Sequence, residues 1–278
     1  MTMVELVGRP ALTEQRVVAG RYRLRTLLGR GGMGRVWLAD DDLLARVVAI
    51  KQVFVGDTAL PEARALARIN HPGVVRVHDF FEHDSDPWIV MELLTGRTLC
   101  AAMGSSRLPV AEVARIGLRL IDALAAVHAA GVVHGDIKPA NVQLCDDGRV
   151  VLTDFGIASA VDDESTMPNG GMAGSPAYIS PERARGDRSA PESDLFSLGA
   201  TLYAAVEGRS PFGTGDPFST LVAVVHEPPA PFVYAGPLRS VLAGLLAKTP
   251  SERMSLAAAR EALQQVSESD ADRPAIAA

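Results

Sequence analysis

The sequence predicts an α+β protein of two lobes, a small one built mostly of strands with one helix and a larger one built mostly of helices. Two observations predict it. Roughly the first ninety residues hold β-favouring runs broken by glycine and turn residues, and the rest carries apolar positions at three- and four-residue spacing. A chain of 278 residues is long for one average domain and fits a single two-lobed one.

Residues 1–19 read as a short leader, without the basic-then-apolar order of a signal peptide. Tyr22-Arg23-Leu24 and Leu27-Leu28, then a glycine cluster, then Arg35-Val36-Trp37-Leu38 predict a hairpin. Arg46 to Val53 reads as a buried strand. Pro61 to Ile69 is alanine-rich and charged at helical spacing, with proline where a first turn tolerates it. Val74–Phe81 and Trp88–Leu93 read as two more strands. Beyond them, Val113, Ile116, Leu120, Leu124 and Val127 form one apolar helix face. Leu195, Leu198, Leu202 and Val206 form another, as do Leu238, Val241 and Leu245, and then Leu256, Ala259, Leu263 and Val266. Val150-Val151-Leu152 is a short strand, and residues 268–278 read as a flexible tail.

Hydrophobic residues make up 47% of the chain, enough for a sizeable core. The net charge of −6 argues against a dedicated nucleic-acid or anionic-membrane binder. The two cysteines, Cys100 and Cys145, lie outside any CxxC or Cys/His cluster, which argues against zinc and disulfide frameworks and for a reduced, cytoplasmic setting. No apolar stretch reaches bilayer length.

Three motifs carry chemistry. Gly29-Arg30-Gly31-Gly32-Met33-Gly34 fits G-x-G-x-x-G with β-prone residues on both sides, a strand-loop-strand setting in which glycines let the backbone approach a phosphate. Val48-Ala49-Ile50-Lys51 ends a buried strand on a lysine that needs an anionic partner. His134-Gly135-Asp136-Ile137-Lys138-Pro139-Ala140-Asn141 fits H-x-D-x-K-x-x-N, with Asp154-Phe155-Gly156 thirteen positions after the asparagine. Seven fixed residues at fixed spacing match by chance at one place with odds on the order of one in a billion, if each residue type is about a twentieth of usage.

Together these motifs resemble the protein kinases, and most closely the eukaryotic-like serine/threonine kinases of bacteria. The likeness covers residues 20–267, with an N-lobe of 20–92 and a C-lobe of 95–267. It implies an ATP-dependent enzyme that phosphorylates serine and threonine hydroxyls of proteins, with Mg²⁺, or Mn²⁺ in its place, and with autophosphorylation through a transient homodimer. The resemblance assigns Asp136 to accept the hydroxyl proton and Lys138 to neutralise charge on the transferring group. It assigns Asn141 and Asp154 to the metal, Lys51 to the α- and β-phosphates, and Glu62 to the partner of Lys51. His134 would be structural, packing under Phe155. Gly29, Arg30, Gly31, Gly32, Met33 and Gly34 would cover the phosphates. Val36 and Ala49 would pack on adenine, Met91 would be the gatekeeper, and Glu92 and Leu93 would offer hinge backbone groups. Gly174 to Glu182 resembles the end of an activation segment, with Ser175 near the catalytic residues; Arg253 would pair with Glu182, and Asp194 would brace the catalytic loop.

The sequence departs from that pattern in three places. Only eleven positions separate Lys51 from Glu62, which implies a shortened helix. Gln143 stands where most relatives place an apolar residue beneath adenine. Gly135 replaces the arginine that pairs with an activation-segment phosphate, so activity is expected to depend little on that phosphate. Ser165 and Thr166 remain candidate autophosphorylation sites by position. The same departures motivate the alternative of a pseudokinase, a nucleotide-binding regulatory or scaffold module.

Overall fold

The computed structural model describes residues 16–31, 34–54, 64–104, 106–155, 176–213 and 215–271. The chain divides into two compact units, Met1–Val55 with His78–Leu93, and Gly56–Val77 with Leu94–Ala278.

The first unit is a six-stranded sheet. Its strands are β1 (Val17–Val18), β2 (Tyr22–Gly31), β3 (Gly34–Asp41), β4 (Arg46–Val53), β5 (Val77–His83) and β6 (Asp86–Met91), in the order β1-β2-β3-β4-β6-β5. The expected hairpin is β2–β3, which closes at the Gly31–Gly34 pair. β1 lies within the stretch read as a leader and pairs antiparallel with β2, Val17 opposite Arg23. Gly34 answers to its neighbour strand: a Cβ there would sit 2.0 Å from the Gln52 carbonyl oxygen. At Gly29 and Gly31 a Cβ would meet nothing within 4 Å among the described residues.

The core of this unit is aromatic and β-branched. Val18, Tyr22, Val48, Ile50, Trp88 and Val90 are buried together, with Trp37 and Phe81 against them. Tyr22, Phe81 and Trp88 stack in series at ring distances of 5.3 and 6.3 Å. At its margin Asp41 is fully buried and takes a bidentate bond from Arg21, at 2.7 and 2.8 Å, and a longer one from Arg46 at 3.3 Å. The Arg21 bond, offset in part by burial, holds the Asp41 carboxyl down at about 2.

The second unit carries the helices: α1 (Leu99–Met103), α2 (Val110–Ala129), α3 (Pro181–Ala184), α4 (Pro191–Glu207), α5 (Pro217–His226), α6 (Arg239–Leu245) and α7 (Leu256–Ala271). A small antiparallel sheet joins them, β7 (Arg97–Thr98), β8 (Val142–Leu144) and β9 (Val150–Leu152). The five apolar positions expected on one face of α2 are all buried. Gly117 of α2 lets three helices meet, since a Cβ there would come within 3.0 Å of Leu202 of α4 and Leu263 of α7. For α4 the expected single apolar face is too narrow. Every residue from Ser193 to Glu207 is buried, which makes α4 the axis of this unit rather than one of its faces. Glu207 ends that helix and its Oε1 accepts three backbone N–H bonds, from Val233, Tyr234 and Ala235, at 2.8–2.9 Å.

Two expected elements are displaced. The strand read over Val74–Phe81 begins at Val77, because the backbone of residues 73–75 is committed to β9: Val75 N–H bonds the Leu152 carbonyl at 3.0 Å, and Leu152 N–H bonds that of Gly73 at 2.9 Å. Of the helix read over Pro61–Ile69, residues 64–66 are helical, and 61–63 fall outside the described residues. The last helix continues through Ala271. Among the described residues no helix is long and apolar enough to cross a membrane.

Candidate active site

The first unit gathers four of the expected nucleotide residues on one sheet face. Side chains two apart on a strand share a face, as do directly paired residues. Ala49 and Lys51 are two apart on β4; Val36 is paired with Lys51, and Met91 with Ala49. The four therefore point to the same side. Lys51 is 9% exposed. Glu92 and Leu93 follow β6 directly, both half-buried, and Arg30 stands exposed on the β2–β3 hairpin opposite Arg35. Gly32, Met33 and Glu62 lie outside the described residues.

In the second unit the catalytic-loop residues converge. Asp194, in the first turn of α4, is buried and holds the loop backbone: its Oδ2 accepts the His134 N–H at 2.9 Å and its Oδ1 the Gly135 N–H at 2.8 Å. His128 Nε2 bonds the same carboxylate at 2.8 Å. His134 is fully buried, with its ring 4.3 Å from that of Phe155. Burial lowers its pKa and keeps it neutral, so Nε2–H donates to the Thr153 carbonyl at 3.1 Å and Nδ1 accepts the Asp136 N–H at 3.2 Å.

Asp136 is the centre of the polar cluster. Its Oδ2 accepts from Lys138 Nζ at 2.6 Å and from Asn141 Nδ2 at 2.9 Å. The same Asn141 amide donates to the Asp136 carbonyl at 2.8 Å and reaches the Asp154 carbonyl at 3.5 Å. A short 3₁₀ turn over Pro139–Asn141 brings Asn141 back beneath Asp136, with proline at its first position. The β8–β9 ladder fixes the other side, where Thr153 N–H and Oγ1 both donate to the Asn141 carbonyl, at 2.9 and 3.2 Å. Asp154 follows with φ 51°, a left-handed conformation unusual for a non-glycine residue. Gly156 and Ser175 lie outside the described residues, with Ser165 and Thr166.

The donor set fits Mg²⁺. The Asn141 nitrogen is committed to Asp136, which leaves the amide oxygen as the end suited to a hard cation, with the Asp154 carboxylate thirteen positions on. No cluster of three His, Cys, Asp or Glu residues gathers among the described residues. Two oxygen donors without a cage suit an ion that keeps its waters and is shared with substrate phosphates.

Glu182 and Arg253 form a buried bidentate pair, with both bonds at 3.0 Å, and Ser193 Oγ donates to Glu182 at 2.8 Å. Burial alone would push the Glu182 carboxyl up; the Arg253 and Ser193 bonds outweigh it and hold it down at about 2.

Some contacts had no signal in the sequence. Gln143 Nε2 donates to the Thr95 carbonyl at 3.1 Å, 48 positions away, and β8 pairs with β7 beside it. Arg183 Nη1 donates to the Gly135 carbonyl. Nothing local marks either side chain. The histidine beside Asp194 could have been sought, because a buried carboxylate needs more donors than two N–H groups.

A two-unit α+β chain with this acid–lysine–asparagine cluster is a protein kinase fold. The protein kinase domain pattern matches residues 22–266, and the chain belongs to that family. It is 37% identical over 252 residues to the serine/threonine-protein kinase PknA of Mycobacterium tuberculosis, covering 85% of this chain and 58% of that protein. It is also 37% identical over 231 residues to a probable serine/threonine-protein kinase PknB of Corynebacterium glutamicum (77% of this chain, 36% of that one). A probable serine/threonine-protein kinase of Streptomyces coelicolor is 38% identical over 239 residues, with coverages of 80% and 36%. The chain thus spans between about a third and three fifths of the length of these relatives.

Proposed function

We propose that the protein transfers the γ-phosphate of ATP to serine and threonine hydroxyls of proteins, itself included. The observation that carries this is the Asp136 carboxylate bonded at once to Lys138 and Asn141. In the reaction the substrate hydroxyl oxygen forms a bond to the γ-phosphorus while the bond to the β–γ bridging oxygen breaks. ADP leaves, and Asp136 takes the hydroxyl proton. Lys138, 2.6 Å from Asp136, faces the same substrate oxygen and stabilises negative charge on the transferring group. Asn141 and Asp154 would hold Mg²⁺, which when bound neutralises charge on the β- and γ-phosphates. Lys51 takes the α- and β-phosphates, with Glu62 as its partner. Gly29 and Gly31, whose missing side chains the sheet itself does not require, let the backbone approach the phosphates. Val36, Ala49 and Met91 line the adenine side, with Glu92 and Leu93 offering backbone groups. The two cysteines, Cys100 and Cys145, are not joined in a disulfide and suit a cytoplasmic setting.

The test is incubation with labelled ATP, Mg²⁺ and a generic basic protein. Labelled protein supports the reading; nucleotide binding without label transfer would leave the pseudokinase. Because Gly135 offers no cation to a phosphate, phosphatase-treated protein should keep its rate to within about tenfold, and a larger loss would refute that independence. Gln143→Leu should lower KM for ATP about threefold, from roughly 0.6 kcal/mol of added apolar packing. An unchanged KM would mean that the bond to Thr95, and not the base, is what Gln143 serves.

A further inference from the structure

The structure assigns Arg183 a positioning role in the catalytic loop, as the residue that fixes the Gly135 peptide and through it the direction of Asp136. The inference rests on the kinase reading above. Gly135 has φ 73°. Glycine enters and leaves that region at little cost, so the loop is freest one residue before its catalytic aspartate. Two bonds remove that freedom. The Gly135 N–H is held by Asp194 at 2.8 Å, and the Gly135 carbonyl by Arg183 Nη1. The second bond matters most for Asp136, because turning the Gly135 carbonyl turns the peptide that carries the Asp136 N–H away from His134 Nδ1.

Arg183 is well placed to act as a fixed support. It sits half-buried in α3, next to Glu182, whose carboxylate is clamped by Arg253 and Ser193. A charged guanidinium donating to a carbonyl makes a stronger bond than a neutral amide does, and its planar fork holds direction better than an ammonium. An arginine absent from position 135 is thus offset by one from α3, which acts on the backbone where a side chain at 135 would act on a phosphate.

The experiment compares wild type, Arg183→Gln and Arg183→Lys, each as the full chain. Steady-state rates with ATP and a generic protein substrate are measured beside amide hydrogen exchange over residues 133–137. Arg183→Gln should lower kcat about tenfold with KM for ATP within about twofold, since misplacement of a reacting group acts on the chemical step. Exchange at residues 135–136 should rise about tenfold while the rest of the second unit keeps its protection. Arg183→Lys should recover part of both effects, and it decides the question if the glutamine variant does not fold. Unchanged kcat with unchanged local exchange overturns the inference, as does a loss of protection spread evenly over the unit. If wild type transfers no phosphate, the kinase reading fails, and the exchange measurement alone decides whether Arg183 holds the Gly135 peptide.

Discussion

Asp136→Asn should cut phosphoryl transfer about a thousandfold, within the range by which a positioned base accelerates proton transfer. The substitution keeps the shape of the side chain and removes its charge. An amide oxygen cannot take the hydroxyl proton, and Lys138, now 2.6 Å from a carboxylate oxygen, loses its ion-pair partner. The Asn141 amide could still donate to the new side-chain oxygen, so the loop should keep its form. The loss should therefore fall on kcat rather than on KM for ATP, since Asp136 is assigned to the substrate hydroxyl and not to the nucleotide. Initial rates with labelled ATP, beside a melting curve, check this. A variant that keeps more than about a tenth of the rate would remove Asp136 from the role of base.

Arg253→Ala should destabilise the second unit by about 3–5 kcal/mol, because it leaves Glu182 buried without its counter-charge. For a protein of this size that lowers the melting temperature by about 10 °C. The pair also sets a pH dependence whose sign is fixed. The Glu182 carboxyl is held at about 2, below its ordinary value of 4.5. Its contribution is full above about 4.5 and is lost as pH falls through that value towards 2, a loss of about 3 kcal/mol in all. The gap in stability between wild type and Arg253→Ala should accordingly narrow between pH 6 and pH 3, as read by denaturant unfolding at both values. A gap that stays constant would show that Arg253 acts through its bond to the Ala247 carbonyl and its position over the Phe196 ring, and not through Glu182.

What was legible in the sequence was whatever a short window contains. The run from His134 to Asn141 sits on one loop, so its spacing and its geometry are nearly the same information. The bounds of β4 follow from one unbroken β-favouring run, and the buried face of α2 from one period. What was not legible depends on partners far along the chain. Val17–Val18 reads as part of a leader because two residues have no period; only pairing with β2 makes them a strand. Asp41 looks like one of three consecutive acids, and its burial follows from Arg21 and Arg46 closing over it. The burial of α4 on every side reflects the helices around it, which no pattern within residues 191–207 could reveal. Gln143 illustrates the limit most directly. The likeness to kinases marks it as out of place, while the fold gives it a carbonyl to hold at Thr95.

The loop glycines differ in what a change at each would reveal. Gly34 is fixed by the Gln52 carbonyl of its own sheet, whereas a Cβ at Gly29 or Gly31 would meet nothing within 4 Å among the described residues. A screen of natural or random variants scored only by lost activity would place all three in one class. Yet a side chain at Gly34 would first break the pairing of β3 with β4, and the same change at Gly31 would leave the sheet whole. In this motif the sheet itself accounts for the last glycine but not for the first two, so matching all three does not supply three independent votes for a nucleotide.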